Sequence, residues 1–436
     1  MFAKRTNWPL EPNSLARALE VHRRAGKPLI DLTASNPTTC GFAYPEREIL
    51  DALQNPRALE YRPESKGLLT SRAAVAEYYR DRPSFAPSPE PREIDPERIV
   101  LTSGTSEAYT HVFRLLCEPG DEILVPAPSY PLLEFLADLA DVRLVPYPLL
   151  YDHGWQMDLA GLRAALTPRS RAVVVVHPNN PTGSFVKPRE AAALAEICAA
   201  RQMAIVADEV FLDYGDPAVR GDAGIPGAAD AGVGKRKGSA VGDGFVGAEL
   251  ASARFHTIET QPTFAFSDSA LTFTFSGLSK ISALPQMKLA WIIASGPKAA
   301  ARAAVDRLEV IADTYLSPST PIQLAAPEFM AMRGAMQLQL QKRIAANLGF
   351  LDATLAGCDA ATRLEREGGW YAVLRVPKSS SDESLVVALL ERSSVLIHPG
   401  TFYNFPSEGF LILSLIAPTS EFEQGARLLK DFLVGL

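Results

Sequence analysis

Two lysines stand eight residues apart in the segment TFSGLSKISALPQMKLAW, which is otherwise mostly small and apolar. Lys280 follows the apolar run LTFTFS by about one helical turn, and Lys288 directly precedes the run LAWIIAS. A lysine near a protein core is either an exposed loop charge or an amine desolvated enough to act as a nucleophile. The local sequence leaves both interpretations of Lys280 open.

Two carboxylates end another apolar run, MAIVADEV, in which Asp208 and Glu209 follow Ile-Val-Ala. An ionised carboxylate this close to a buried strand costs free energy unless a cation or a hydrogen-bond donor meets it. The sequence therefore predicts a partner for Asp208, either a structural arginine or the protonated ring nitrogen of a ligand.

The turn after the run RIVLT contains Ser103, Gly104 and Thr105 and opens a predicted helix. Backbone N–H groups and hydroxyls at the start of a helix can bind an anion. An ordinary helix cap, with Glu107 in the first turn, explains these residues equally well.

Two more runs end in side chains that suit a planar ligand. Tyr130 follows DEILVPA and could cover the face of an aromatic ring, or be a partly buried structural tyrosine. Asn180 follows RAVVVVHP and precedes a Pro-Thr-Gly turn, where its amide can bind a ligand oxygen or hold the turn.

These side chains share one structural setting, because each follows a short apolar run and the runs alternate with helical patterns between about 95 and 300. Continuous hydrophobicity is typical of strands buried on both faces, as in a mostly parallel sheet covered by helices. Ligands of such sheets bind at the carboxyl ends of the strands. We therefore predict an α/β fold in which these residues meet.

The chain divides into two predicted domains. A large α/β domain over 51–315 is followed by a smaller α+β domain over 316–436, which the N-terminal segment 1–50 completes, so that both chain ends form it. A Gly-rich insertion at about 215–262 interrupts the large domain. We favour a disordered surface excursion over an active-site lid for this insertion.

Composition excludes several other classes of function. The net charge of −7, without a dense basic run, argues against nucleic acid as a partner. The absence of a signal sequence and of a long apolar run predicts a cytoplasmic protein that does not span a membrane. Scattered cysteines without metal-ligand spacing predict free thiols and no metal site; they are Cys40, Cys117, Cys198 and Cys358.

Taken in chain order, the motifs resemble those of the class I/II aminotransferases, which are fold type I pyridoxal-5′-phosphate enzymes. The resemblance rests on SGTSEAY, Tyr130, HPNNPTG, ADEVF and SGLSK, and it extends from DLTASNPT at 31–38 to HPG at 398–400. It implies pyridoxal 5′-phosphate as the cofactor. It also implies transfer of an amino group from an amino acid or amine to a 2-oxo acid.

The resemblance also implies a role for each matched residue. Lys280 resembles the Schiff-base lysine that shuttles the substrate proton, and Asp208 the carboxylate that keeps the pyridine nitrogen protonated. Asn180 resembles the donor to the phenolic oxygen. The remaining matches are the ring-stacking Tyr130, the phosphate contacts Ser103, Gly104, Thr105, Ser279 and Lys288, and Tyr61, which reaches the phosphate of a neighbouring subunit and implies a homodimer.

Departures from the family pattern concern the cofactor and, above all, the substrate. Phe211 stands where a tyrosine is usual, and Lys288 offers a point charge where an arginine is common. Ile412 aligns with the arginine that binds the substrate carboxylate, and an aliphatic side chain cannot replace it. The possible substitutes are Asn36, Arg375, Tyr403 and Asn404.

Two other functions stay open at this point. Without the carboxylate-binding arginine, the same cofactor and lysine could serve a lyase, a decarboxylase or an amine oxidase. A cofactor-binding regulator is a third hypothesis; regulators of this type usually carry a DNA-binding domain before the fold, and the short stretch before DLTASNPT argues against it.

Overall fold

The computed structural model describes residues 1–85, 92–216, 261–316 and 318–436. Its helices are α1 (Ser14–Arg24), α2 (Glu46–Ala52), α3 (Leu69–Tyr79), α4 (Thr105–Leu116), α5 (Leu132–Leu139), α6 (Leu159–Ala165), α7 (Pro188–Arg201), α8 (Leu278–Ile281), α9 (Lys298–Tyr315), α10 (Thr320–Ala331), α11 (Arg333–Leu355), α12 (Asp382–Ser393) and α13 (Thr419–Val434). Its strands are β1 (Ile30–Asp31), β2 (Ile99–Thr102), β3 (Glu122–Ala127), β4 (Arg143–Tyr151), β5 (Trp155–Met157), β6 (Ser170–Val176), β7 (Ala204–Asp208), β8 (Thr272–Gly277), β9 (Ala290–Ser295), β10 (Thr362–Arg363), β11 (Tyr371–Arg375), β12 (Val395–Leu396), β13 (His398–Pro399) and β14 (Phe410–Ser414).

The large sheet contains eight strands in the order β2-β9-β8-β7-β6-β3-β4-β5. The strands from β8 through β4 are parallel to one another. β9 runs antiparallel to both of its neighbours, and β5 runs antiparallel to β4. Each of the six apolar runs in the sequence contains one strand of this sheet, so the prediction of a mostly parallel α/β sheet is confirmed.

Both faces of this sheet are buried, which explains the unbroken hydrophobicity of its strands. Val174 and Phe273 pack in one cluster with residues of α4, α5 and α9. On the opposite face, Val173 and Ile205 pack with residues of α6 and α7. Burial of each such side chain contributes about 1.5–3 kcal/mol, so the sheet holds its strand ends firmly in place.

The smaller sheet is antiparallel, with the order β10-β11-β14-β13. Near it, β1 pairs with β12, which brings the N-terminal segment against the C-terminal part of the chain. The domain boundaries at 50 and 315 stay a prediction. Apart from residues 215, 216, 261 and 262, the predicted Gly-rich insertion lies outside the described residues.

Three predicted absences concern the described residues only. None of the described helices combines the length and the hydrophobicity needed to cross a membrane. The same residues contain no group of three or more His, Cys, Asp or Glu side chains that could hold a metal ion. All four cysteines lie in the described ranges, and each is a free thiol.

Candidate active site

A cavity of about 270 Å³ lies where β6, β7 and β8 end and where α4 and α8 begin. The topology explains this convergence, because parallel neighbours present their carboxyl ends at the same edge of the sheet. The predicted site residues in its wall are Thr105, Tyr130, Asn180, Asp208, Phe211, Ser279, Lys280 and Lys288.

Lys280 lies in α8, a single helical turn that starts directly after β8. The turn requires Gly277 before it, because a Cβ there would approach the side chain of Ala290 to 2.8 Å. The Lys280 Nζ atom lies 4.7 Å from the ring centroid of Trp370 and 5.5 Å from that of Phe211. Burial lowers the pKa of Lys280 to about 8, although the nearby Asp208 acts in the opposite direction. At pH 7.4 roughly a fifth of the amine is then neutral, far more than for an ordinary lysine.

Three side chains hold the backbone of the turn that contains Lys280. The hydroxyl of Tyr214 donates to the carbonyl oxygen of Lys280 at 2.6 Å. Gln337 Nε2 donates to the carbonyl oxygen of Ile281 at 2.9 Å, and the hydroxyl of Tyr44 donates to the carbonyl oxygen of Ala283 at 2.8 Å. These hydrogen bonds hold the backbone of the turn and so restrict the direction of the Lys280 side chain. None of the three donors was predicted from the sequence.

Asp208 ends β7, and its side chain is 8% exposed. The hydroxyl of Tyr109 donates to its Oδ2 atom at 3.1 Å, and the N–H of Val210 donates to Oδ1 at 3.2 Å. Burial raises the pKa of Asp208 to about 6, while these two donors and Lys280 limit the increase. The carboxylate thus has local donors but no arginine partner among the described contacts.

The carboxylate next in the chain has a structural position. Glu209 is fully buried and accepts hydrogen bonds from the Thr263 hydroxyl and the Phe264 N–H, both at 2.7 Å. Of the two acidic residues of ADEVF, only Asp208, the last residue of β7, lines the cavity, and Glu209 directly after the strand is bound by Thr263 and Phe264.

The two asparagines of the Asn-Asn-Pro turn after β6 have different roles, since one holds the turn and the other lines the cavity. Asn179 Nδ2 donates to the carbonyl oxygen of Pro128 at 3.2 Å and to Thr182 Oγ1 at 2.9 Å, so this residue holds the turn. Asn180 lines the cavity, and its buried Oδ1 atom has no hydrogen-bond partner within the described part of the chain. A buried amide oxygen without a hydrogen-bond partner is costly, so the Asn180 side chain is well suited to a polar ligand.

The N-terminus of α4 contributes Thr105 and Ser106 to the cavity wall. Gly104 is the N-cap, and a Cβ at this position would meet no atom within 4 Å, so the space beside it is open. The Ser103 N–H donates to the Glu107 carboxylate at 2.6 Å, as in an ordinary helix cap. Capping occupies one N–H group and leaves the hydroxyls of the first turn for an anion.

The residues of this cavity fit pyridoxal 5′-phosphate. The cofactor requires an amine for its aldehyde, a carboxylate for its ring nitrogen and a donor for its ring oxygen, and Lys280, Asp208 and Asn180 offer these groups. Its phosphate requires cationic and neutral donors, which the same wall supplies. They are Thr105, Ser106, Ser279 and Lys288.

The remaining predicted residues lie outside the cavity wall. Tyr61 is 81% exposed on the surface of this single chain. Asn36 accepts hydrogen bonds from the N–H and the hydroxyl of Thr38 as the cap of a short helix. The Arg375 guanidinium lies 5.2 Å from the ring centroid of Tyr151.

The last strand of the small sheet provides no polar group to the cavity. Ile412 is fully buried and pairs with Val373 of β11 and His398 of β13. Tyr403 is 2% exposed and its carbonyl oxygen accepts the Ser129 N–H, while Asn404 donates to Glu134 Oε1 at 2.8 Å. None of the four expected substitutes for the arginine lines this cavity, although the Tyr403 ring centroid lies 6.2 Å from that of Tyr371 in the cavity wall. Their role towards the substrate stays a prediction.

Several residues in the cavity wall were absent from the predicted site, among them the polar residues Ser35, Tyr109 and Tyr371. Tyr109 could have been found, because it lies four positions after Thr105 and therefore on the same helix face. Ser35 and Tyr371 carry no such local signal, since they reach the cavity from segments distant in the chain.

The fold and the cavity together define an α/β enzyme that uses pyridoxal 5′-phosphate. The family described as aminotransferase class I and II matches residues 27–424, and the chain belongs to this family. The predictions of family, cofactor and transferase activity are therefore confirmed.

Similar proteins agree with this assignment. The glutamate-pyruvate aminotransferase AlaA of Escherichia coli (strain K12) is 27% identical over 89% of this chain and 87% of its own length. The alanine aminotransferase of Mycobacterium tuberculosis (strain H37Rv) is 27% identical over 98% of this chain and 89% of its own length. Among solved structures, the alanine aminotransferase of Pyrococcus furiosus has a TM-score of 0.79 at 20% identity and covers both chains completely.

Proposed function

We propose that Lys280, Asp208 and Asn180 are the principal residues of a pyridoxal-phosphate-dependent transfer of an amino group from an amino donor to a 2-oxo acid. The observation that carries this assignment is a single cavity that holds a desolvated amine, a buried carboxylate and an amide whose oxygen has no partner among the described residues. Groups of this kind rarely meet without a ligand, because each costs free energy when buried.

When bound, the cofactor supplies an aldehyde that receives the amino group and a ring that withdraws electrons from the reacting carbon. Lys280 Nζ would hold the cofactor through its aldehyde and, when free, is the base placed to remove the proton from the donor carbon. The same atom returns the proton during transfer to the acceptor. Its lowered pKa favours this exchange near neutral pH.

Asp208 and Asn180 fix the orientation of the ring. The Asp208 carboxylate would keep a proton on the ring nitrogen, and Asn180 would donate from Nδ2 to the ring oxygen. Phe211 offers no hydroxyl there, so Asn180 acts without a phenolic partner at this position. Tyr130, which lines the same wall, is placed to cover one face of the ring.

The phosphate would bind to the group that comprises Ser103, Gly104, Thr105, Ser279 and Lys288. The Thr105 and Ser279 side chains line the cavity together with that of Lys288. Because Lys288 is exposed and is a point charge, it would hold the phosphate less rigidly than an arginine.

The identity of the amino donor is a separate question. Alanine or glutamate as donor, with pyruvate as acceptor, is a candidate suggested by the names of the relatives. Among the described residues that line the cavity, only Lys280 and Lys288 are cationic, and no guanidinium is present. A donor carboxylate would therefore be met by hydroxyls such as that of Tyr371, or by a partner subunit.

Assembly and location are proposed from the sequence. A homodimer would let the exposed Tyr61 reach the phosphate of the partner's site, and the neighbouring Leu59, 92% exposed, would be covered in such an interface. Light scattering of the purified protein tests the dimer, and loss of cofactor affinity in Tyr61→Phe tests the contact. A fluorescent fusion tests the predicted cytoplasmic location.

The decisive experiment is reconstitution with pyridoxal 5′-phosphate. The wild-type protein should acquire the absorbance of a lysine-bound cofactor, and Lys280→Ala should not. Amino acids and carboxylate-free amines are then added in turn while conversion to the pyridoxamine form is followed. Release of ammonia, carbon dioxide or peroxide without that conversion would contradict amino-group transfer as the main reaction.

A further inference from the structure

Tyr109 has a position that the assigned function does not explain. Its side chain is 4% exposed and lies in α4, and its ring packs edge-on against Phe275 of β8 with 4.9 Å between centroids. Phe275 is the direct neighbour of Asp208 in the sheet register. The packing therefore fixes the phenol beside the carboxylate.

The hydroxyl of Tyr109 can act only as a donor towards Asp208. Burial raises the pKa of Tyr109 well above its ordinary value, so the phenol keeps its proton at all working pH values. Its contact with Asp208 Oδ2, at 3.1 Å, is the only side-chain hydrogen bond that the described residues give to this carboxylate. Since Val210 N–H occupies Oδ1, each oxygen has one protein donor and the plane of the carboxylate is set.

The two ends of the expected cofactor ring thus differ in this chain. Phe211 leaves the side of the ring oxygen without a phenol, whereas Tyr109 places a phenol behind the carboxylate on the side of the ring nitrogen. A donor to a carboxylate stabilises its charged form. In a pair formed by a carboxylate and a ring nitrogen, such a donor moves the shared proton towards the nitrogen.

We propose that Tyr109 is a positioning residue that orients Asp208 and keeps its proton on the ring nitrogen. This inference rests on the proposed role of Asp208. It predicts that the electron-withdrawing capacity of the site depends on the hydrogen-bond strength of the Tyr109 phenol, through Asp208 and without contact to the substrate.

Several groups face Asp208. Tyr109 on α4 and Lys280 on α8 lower the pKa of Asp208 against the effect of burial, while burial and the Asp208 charge raise the pKa of Tyr130, before α5, and of the adjacent Glu209. Only Tyr109 changes in the variants below, so a difference in the titration of Asp208 between variants is attributable to the phenol.

The first test uses the protein without cofactor. Carbon-13-labelled aspartate is incorporated, the Asp208 signal is assigned with Asp208→Asn, and its pKa is measured by NMR. Tyr109→Phe should raise the pKa of Asp208, and 3,5-difluorotyrosine at position 109, a stronger donor, should lower it. An unchanged pKa in both proteins would overturn the proposal.

The matched control is Tyr147→Phe. Tyr147 is 1% exposed and its hydroxyl donates to the Val174 carbonyl oxygen at 2.8 Å, but it does not line the cavity. Both Phe variants lose one buried hydrogen bond, so they should lose similar stability. Only Tyr109→Phe should alter the pKa of Asp208, and the fluorinated protein retains the phenol if Tyr109→Phe folds poorly.

The second test uses nitrogen-15-labelled pyridoxal 5′-phosphate. The nitrogen signal should move towards the unprotonated value in Tyr109→Phe, and the cofactor dissociation constant should increase roughly 3- to 10-fold. The control should match the wild type. If the wild type does not bind the cofactor, the proposed function fails; if it binds and Tyr109→Phe behaves identically, the inference about Tyr109 alone fails.

Discussion

The two sheets of this protein contribute to the cavity in different ways. The large sheet places Asn180, Asp208 and Lys280 at the ends of three neighbouring parallel strands, and each of these side chains lines the cavity. The small sheet places Ile412 at the centre of an antiparallel layer, where it is fully buried. Its contribution to the cavity is Tyr371, at the start of β11.

This difference separates the chemistry from the choice of substrate. The polar groups of the large sheet are expensive to bury and fit one cofactor closely, so changes there should impair the reaction of every donor. The small sheet offers no charged group to the cavity, so changes there should affect donors unequally. Variants of the large sheet and variants of the small sheet therefore test this difference separately.

The largest effect is expected for Lys280→Ala. Loss of both the covalent attachment and the proton-transferring base should reduce turnover by at least on the order of 10⁴-fold for every donor. Lys298→Ala, an exposed lysine at the start of α9, should leave turnover unchanged. Activity of Lys280→Ala with even one donor near the wild-type rate would contradict a role of Lys280 in the reaction of every donor.

The lysine also predicts a pH dependence. Because the pKa of Lys280 is lowered to about 8, the neutral amine becomes the main form only above that pH. The rate at which the cofactor-free protein captures pyridoxal 5′-phosphate should rise with pH and level off above about pH 8. Stopped-flow absorbance measures this rate, and a rise that continues to pH 10 would indicate an unshifted amine.

The next largest effect is expected for Asp208→Asn. Turnover should fall roughly 10²- to 10³-fold for all donors, because an amide cannot hold a proton on the ring nitrogen. Steady-state kinetics with several donors measures the loss. A loss confined to some donors would place Asp208 on the substrate side of the division.

The same variant should stabilise the cofactor-free protein. The pKa of Asp208 in the folded protein, about 6, exceeds its value in the unfolded chain. The folded protein therefore loses stability as the pH rises from about 4 through 6, because the buried carboxylate becomes charged. At pH 8 the free energy of unfolding of Asp208→Asn should exceed that of the wild type by up to about 3 kcal/mol. Urea unfolding at pH 8 and pH 4 should show the difference shrinking at the lower pH.

A smaller and selective effect is expected for Tyr371→Phe. If its hydroxyl meets the donor carboxylate, KM should increase roughly 3- to 10-fold for amino acids and remain constant for carboxylate-free amines. Equal changes for both donor classes would assign Tyr371 to the cofactor side of the cavity.

The smallest effect is expected for Arg375→Ala. Its guanidinium packs against the Tyr151 ring outside the cavity, so KM for amino acids should change less than about twofold. A large increase in KM would mean that Arg375 moves to the substrate during the reaction, and the missing arginine would then have a replacement in the small sheet.

On its own, the sequence determined six of the eight strands of the large sheet and the residue types at their ends. Unbroken apolar runs require burial on both faces, and a carboxylate or amine directly after such a run requires a partner. Both requirements are local in the chain. For this reason Asp208, Asn180 and Lys280 could be named as candidates from their positions, while their roles were implied by the resemblance of the ordered motifs.

Only the tertiary structure decided which of these groups are free and what surrounds them. Asn179 and Asn180 are neighbours of the same type, yet contacts with Pro128 and Thr182 engage the first and leave the second partly unpartnered. Tyr109 reaches Asp208 across 99 residues of chain.

The same applies to the antiparallel course of β9 and to the position of Arg375 outside the cavity. Such outcomes depend on how distant segments pack together. Hydrophobic periodicity and local motifs contain no information on that packing.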